Sequence, residues 1–300
     1  MDLSDINVLK SILTQYGIRP NKFLGQHFLI DRKVLEKIIE TAAISPGDLI
    51  LEIGPGIGVL TLELAKRAKK VIAVEKDEKL VKILEDNLKK EKISNVEIIV
   101  GDILEEIKNP KSKIQKEFKG KNYKIVANLP YYLTNRLIRN FLENPPAGEP
   151  PKEMVLMVQK EVGERICAQP PKMNILAVSV QFYGQPEITA FVPKKSFWPK
   201  PEVDSAIIKL KTKNGNRKIN EKREFETEKF FKIVRAGFSS PRKTLMNNLK
   251  KIMPRSIRRD FEFSLKKIGL RPDCRPQNLS VDNWREIVLF IEKKCDIIKK

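Results

Sequence analysis

Three hundred residues, 41% of them hydrophobic, can bury a sizeable core and suit one large domain with a small companion. The 58 Lys and Arg against 38 Asp and Glu leave a net charge of +20, enough to attract a polyanion through several phosphate contacts, so nucleic acid leads the partners that charge admits. A single histidine, His27, and three scattered cysteines without His neighbours, Cys167, Cys274 and Cys295, argue against a disulfide framework, a zinc site and most Ser-His or Cys-His hydrolases.

The first segment, "MDLSDINVLKSILTQYG", spaces its apolar residues helically and has no basic residue before Lys10, so it reads as a helix and not as a secretory leader. No apolar run reaches the ~18 residues that cross a bilayer. A soluble, cytoplasmic protein without membrane contact is expected. After the loop "GIRPNKFLGQHFLI", Asp31 can cap a helix whose apolar face is Val34, Leu35, Ile38, Ile39 and Ala42, and "SPGD" stops it.

From there short apolar runs alternate with amphipathic ones. "LILEIG", "VIAVEK", "VEIIVGD", "KIVANLP" and "MVLMVQ" read as strands of a parallel sheet covered on both faces. "EITAFVP" and "DSAIIKL", joined by the Pro-rich "KKSFWPKPEV", read as a hairpin closing one edge. The polar stretch "KTKNGNRKINEKREFE" marks a boundary near residue 212. Beyond it the pattern is helical, with 24 basic and 11 acidic side chains in residues 213–300. A solubilising lysine surface would account for that charge equally well, so the motifs must decide.

"LEIGPGIGVLTLELA" sets Gly54, Gly56 and Gly58 between the first strand and its helix, where backbone N–H groups can approach a nucleotide-like ligand. The dinucleotide fingerprint needs a small residue at position 59, which is Val59 here, and that weakens a nicotinamide reading. Glu75 ends the second strand, 21 residues after Gly54, where an acid accepts from ribose hydroxyls. Asp102 ends the third, where a carboxylate can accept from an adenine amine.

"NLPYY" follows the fourth strand. Taken alone it is a turn, but its context suits it to an adenine N6 amine, a poor nucleophile because its lone pair is delocalised. The Asn128 side-chain oxygen and the Leu129 carbonyl can accept its two hydrogens, Pro130 can fix the turn, and Tyr131 can stack on an extracted base. Together these features point to methyl transfer from S-adenosylmethionine to a nucleic-acid adenine.

The stretches "NKFLGQHFL", "LEIGPGIGVLT", "VIAVEKD", "GDIL", "NLPYYLT", "VQKEVGERICA", "FWPKPEVDSAII" and "RAGFSSPRKTLMNNL" lie in this order along nearly the whole chain. They resemble the small-subunit ribosomal RNA adenine N6-dimethyltransferases. The resemblance implies an α/β fold: a Rossmann-like S-adenosylmethionine-dependent methyltransferase domain over residues 1–212, with a small basic helical RNA-docking domain over 213–300. It implies cofactor contacts at His27, Leu29, Gly54, Glu75, Asp102 and Asn128, to which the glycine turn adds Gly56 and Gly58. It puts the target base at Asn128, Leu129 and Tyr131, with Phe197 opposite Tyr131 and Pro130 joining the catalytic group as the residue that fixes their turn, although "FWPKPEVDS" by itself also reads as a core plug. "SSPRKTLMNNLKK" resembles the RNA-docking region, with Arg242 and Lys243 as contacts. His27 stands where many relatives carry Asn. The implied substrate is two adjacent adenosines in the 3′-terminal stem-loop of 16S rRNA within a pre-30S particle, methylated by a monomer without a metal. A large-subunit (23S) methyltransferase of the antibiotic-resistance type, or a non-catalytic RNA-binding assembly or transcription factor, are the alternatives.

Overall fold

The computed structural model describes residues 2–21, 25–213 and 221–294. Lys22, Phe23 and Leu24 of the expected loop, residues 214–220 of the polar stretch, and Cys295 lie outside the described residues. The chain packs into two compact units, residues 1–164 with 184–217, and residues 165–183 with 218–300. This differs from the expected division at 212 in one main respect. The helix Ile175–Tyr183 belongs with the C-terminal helices, because Ala177 and Val178 are buried in a core that also holds Phe230, Leu245, Phe261 and Trp284.

In the first unit a short β1 (Phe28–Leu29) precedes the capped helix Arg32–Ala42, and the Asp31 carboxylate accepts from the N–H groups of Lys33 and Val34 as expected. Strands β2 (Leu49–Ile53), β3 (Lys70–Glu75), β4 (Val96–Val100), β5 (Lys124–Asn128) and β6 (Glu153–Gln159) match the five apolar runs. They pair in parallel in the order β4-β3-β2-β5-β6. β7 (Gly184–Val192) and β9 (Ser205–Thr212) continue the sheet antiparallel in the order β6-β9-β7. The edge hairpin is thus present, but its connection carries a two-residue β8 (Phe197–Trp198) that pairs with β1.

The strand order reverses between β2 and β5, which leave in opposite directions across the sheet, so a crevice opens at their carboxyl ends. Two apolar layers flank the sheet. Leu35, Ile38, Leu60 and Leu64 pack with Ile50 and Val126 in one; Leu9, Leu13, Leu80 and Leu84 pack with Ala73 in the other.

The second unit buries Trp284 completely among the helices Glu221–Gly237, Arg258–Lys267 and Val281–Lys294. No helix among the described residues is long and apolar enough to cross a membrane.

Candidate functional site

A cavity of about 320 Å³ lies at the carboxyl ends of β2 to β5 and is closed on one side by the segment Gly25–Leu29. Of the expected residues, His27, Leu29, Gly54, Gly56, Glu75, Asp102 and the run Asn128–Tyr131 all line it. Gly58 and Phe197 do not.

Gly58 serves packing instead. Its φ of +98° starts the helix Val59–Ala65, and a Cβ there would meet Leu84 Cδ1 at 2.6 Å. Gly54, with φ +68°, is required by its left-handed backbone, and it stands beside Pro130 and the Asn128 carbonyl at ordinary contact distance. Phe197 is buried in the core, since the pairing Leu29↔Phe197 ties its strand to β1. The core-plug reading is therefore the one its position fits. The ring that faces Tyr131 is His27, at 6.1 Å between centroids and 24° between planes.

The acids are held in different ways. Glu75 Oε1 accepts from the N–H groups of Lys76 (2.8 Å) and Asp77 (3.0 Å), and Oε2 from Gly56 (3.0 Å), which fixes the glycine turn to the end of β3. Burial raises its pKa, and those three donors pull against the rise. Asp102 is pushed up by burial, but the Leu104 N–H (2.8 Å) and the Lys76 ammonium (3.1 Å) outweigh this and lower its pKa.

Asn128 Nδ2 donates to the His27 carbonyl at 3.3 Å, so the amide is oriented and its oxygen is left to accept. His27 Nδ1 lies 2.7 Å from the Pro199 carbonyl, which can only accept, so that nitrogen carries the hydrogen. The Tyr131 hydroxyl meets Ser205 Oγ at 2.8 Å, and burial raises its pKa. These bonds tie the "NLPYY" turn to β9 and to the loop before β1.

Four polar cavity residues, Gln26, Glu52, Lys76 and Asp77, escaped the sequence reading. Lys76 grips Asp102, and Gln26 Nε2 donates to Asp77 Oδ2 at 2.9 Å. Glu52 is 1% exposed, and its Oε2 has no hydrogen-bond partner. Burial pushes its carboxyl up to about 8; the nearby Thr61 hydroxyl pulls it down and Glu75 adds repulsion. The signal was available in "LEIG", where an acid interrupts a strand whose neighbours are all apolar. Arg242 and Lys243 lie in the second unit, exposed in the turn before the helix Leu245–Leu249.

An open sheet with an antiparallel strand inserted beside its last parallel one, and an acid-lined cavity at the switch point, define a Rossmann-like methyltransferase. Two solved structures share the fold across both units' sequence. A dimethyladenosine transferase from Plasmodium falciparum is 26% identical with a TM-score of 0.69, covering 89% of this chain and 98% of its own. The 23S rRNA methyltransferase ErmE is 24% identical with a TM-score of 0.70, covering 88% and 99%.

Residues 17–293 match the family described as Ribosomal RNA adenine dimethylase. The Ribosomal RNA small subunit methyltransferase A of Dehalococcoides mccartyi is 42% identical over 291 residues, covering 95% of this chain and 94% of that protein. The protein of the same name from Geobacillus thermodenitrificans is 40% identical, covering 95% and 96%. The chain belongs to the ribosomal RNA adenine dimethylase family, enzymes that dimethylate N6 of rRNA adenine with S-adenosylmethionine.

Proposed function

We propose that this chain dimethylates N6 of two adjacent adenosines in the 3′-terminal stem-loop of 16S rRNA, acting as a cytoplasmic monomer on a pre-30S particle. Near-complete alignment with relatives named for the small subunit supports the choice of subunit. The observation that carries the chemistry is the oriented Asn128 amide, its oxygen free beside an acid-lined cavity.

The cavity suits a cationic cofactor. Glu75, Asp77 and Asp102 line it against the single ammonium of Lys76 and a histidine, and Glu52, which burial keeps protonated up to about pH 8, adds a neutral carboxyl whose Oε2 has no hydrogen-bond partner. Glu75 would take the ribose hydroxyls and Asp102 the adenine amine, each having lone pairs beyond those its present partners use. The backbone of Gly54 and Gly56, with His27 and Leu29, would enclose the rest. S-adenosylmethionine, when bound, supplies a methyl group on a positively charged sulfur that is already a good leaving group, so no metal is invoked.

This chain's residues then prepare the acceptor. Asn128 Oδ1 and the Leu129 carbonyl accept the two N6 hydrogens and favour a pyramidal, more nucleophilic nitrogen. Pro130 holds that carbonyl, and Tyr131 stacks on the base, anchored through Ser205. No strong base is needed, because the alkylated nitrogen is acidic and sheds its proton to water. Arg242 and Lys243 would hold RNA phosphates.

Labelled S-adenosylmethionine offered with unmethylated small subunits, large subunits and naked RNA in parallel, followed by mapping of the label, tests this reading. Label on large-subunit RNA alone would replace it with the 23S alternative. Within the site, Glu75→Ala is expected to weaken S-adenosylmethionine binding by roughly 10–100-fold, the loss of a charged hydrogen-bonding partner. Glu75→Gln, which keeps one acceptor, should lose less. Calorimetry on the folded variants measures both, and unchanged affinity would remove Glu75 from the cofactor site.

A further inference from the structure

The helix Arg258–Lys267 of the second unit reads RRDFEFSLKK. Phe261 and Leu265, four residues apart on one face, are fully buried and tie the helix to its core. Phe263 points the other way. At 72% exposure it is the most exposed large hydrophobic side chain among the described residues. Phenylalanine has no special helix propensity, so local structure gives no reason for a ring there.

A lone exposed phenylalanine is ordinary, and its neighbours are what single it out. The positions that share its face at i−4, i+3 and i+4 are Arg259, Lys266 and Lys267, all exposed. None of these three has an ion-pair partner among the described residues. The acid on that flank, Asp260, is taken by Lys294 at 3.2 Å. Glu262, one residue before Phe263, lies about 100° round the helix. Elsewhere in the unit Arg271 and Arg285 are matched to Asp273 and Asp282. The helix thus presents one aromatic ring ringed by three unmatched cations.

An apolar protein partner would leave those cations desolvated and unpaired, which is costly. A polyanion carrying flat π-faces satisfies both features at once. We infer that this face binds an unpaired nucleotide of RNA, with Phe263 stacked on the base and Arg259, Lys266 and Lys267 on the flanking phosphates. Residues 259 to 267 span about 12 Å of helix axis, enough to reach phosphates on both sides of one nucleotide. The choice of RNA rests on the proposed rRNA substrate, whereas the stacking geometry does not.

The full-length protein carries the test. F263A and F263L should each weaken binding to unmethylated small subunits roughly tenfold, the usual effect of losing one base-aromatic stack, while F263W restores it. Turnover at saturating subunits and the thermal midpoint should stay at wild-type values, because the ring is exposed and remote in sequence from every cavity residue. The indole fluorescence that F263W adds to the wild-type signal should be quenched by a short unstructured RNA. Replacing Arg259, Lys266 and Lys267 together by Gln should reduce the slope of log affinity against log salt by about 2, at ~0.7 per phosphate contact. Wild-type binding by F263L would overturn the inference, as would an added indole signal that RNA leaves unquenched. A change in sedimentation of the protein alone in F263A would also overturn it, by making the face a contact between copies of the chain. If the wild-type protein left small subunits unmethylated while RNA quenched the added indole of F263W, the methylation reading would fall and this one would stand.

Discussion

Asn128→Ala is expected to lower methyl transfer by roughly 10²–10³, the usual loss when one preorganised polar partner of a transition state is removed. RNA affinity should barely change, since phosphate contacts and stacking supply most of it. The amide is preorganised by the 3.3 Å bond from its nitrogen to the His27 carbonyl, so no reorientation is needed when N6 becomes pyramidal and its hydrogens gain charge. Because Asn128 also lines the cofactor cavity, turnover must be compared at saturating S-adenosylmethionine.

A second effect separates the two acceptors. The first methyl consumes one N–H, so monomethylated adenine can satisfy only one of the Asn128 and Leu129 oxygens, and the variant should change the ratio of mono- to dimethyl product. Asn128→Asp, which keeps an acceptor but loses the donor to His27, should fall between wild type and Asn128→Ala. Single-turnover assays with nucleoside analysis read both quantities. Near-normal rates with an unaltered product ratio would reduce "NLPYY" to a turn.

The sequence made the inner parallel strands β2, β3, β5 and β6 legible because they are buried on both faces and read as mainly apolar runs, whereas the edge strand β4 is only partly buried. Strand ends were legible for the same reason: Glu75, Asp102 and Asn128 are the first polar residues after such runs, and all three reach the cavity. What escaped depends on contacts with no local signature. The pairing of Phe28–Leu29 with Phe197–Trp198 joins residues about 170 apart, and it decides that Phe197 enters the core and His27 faces Tyr131. Likewise the helix Ile175–Tyr183 is apolar enough for either core, and only tertiary packing assigns it to the C-terminal unit. Gly58 looked like its neighbours Gly54 and Gly56, yet its demand comes from Leu84 on a helix that follows β3.

Glu52 supplies the other large expected effect, on stability. In the unfolded chain its carboxyl ionises near 4.5, whereas burial in the folded chain pushes it up to about 8. Between these values the folded protein holds a proton that the unfolded chain has released, so stability falls as pH rises, by about 1.4 kcal/mol per unit. The stabilisation is whole below pH 4.5, declines across the window, and stops changing above about 8, when both states are ionised. Asp48, Glu63, Glu97 and Asp102 have lowered pKa values, so their contributions are lost only as pH falls toward and below the ordinary carboxylate range. A comparison from pH 5.5 to 8.5 therefore isolates the raised groups, Glu52 and, to a smaller extent, Glu75. Glu52→Gln keeps the shape and cannot ionise, so its urea midpoint should fall much less over that range and exceed the wild-type midpoint at pH 8.5, by a few kcal/mol in free energy. Parallel curves for the two proteins would mean that Glu52 is ionised throughout, and that the cavity floor accommodates its charge without a proton.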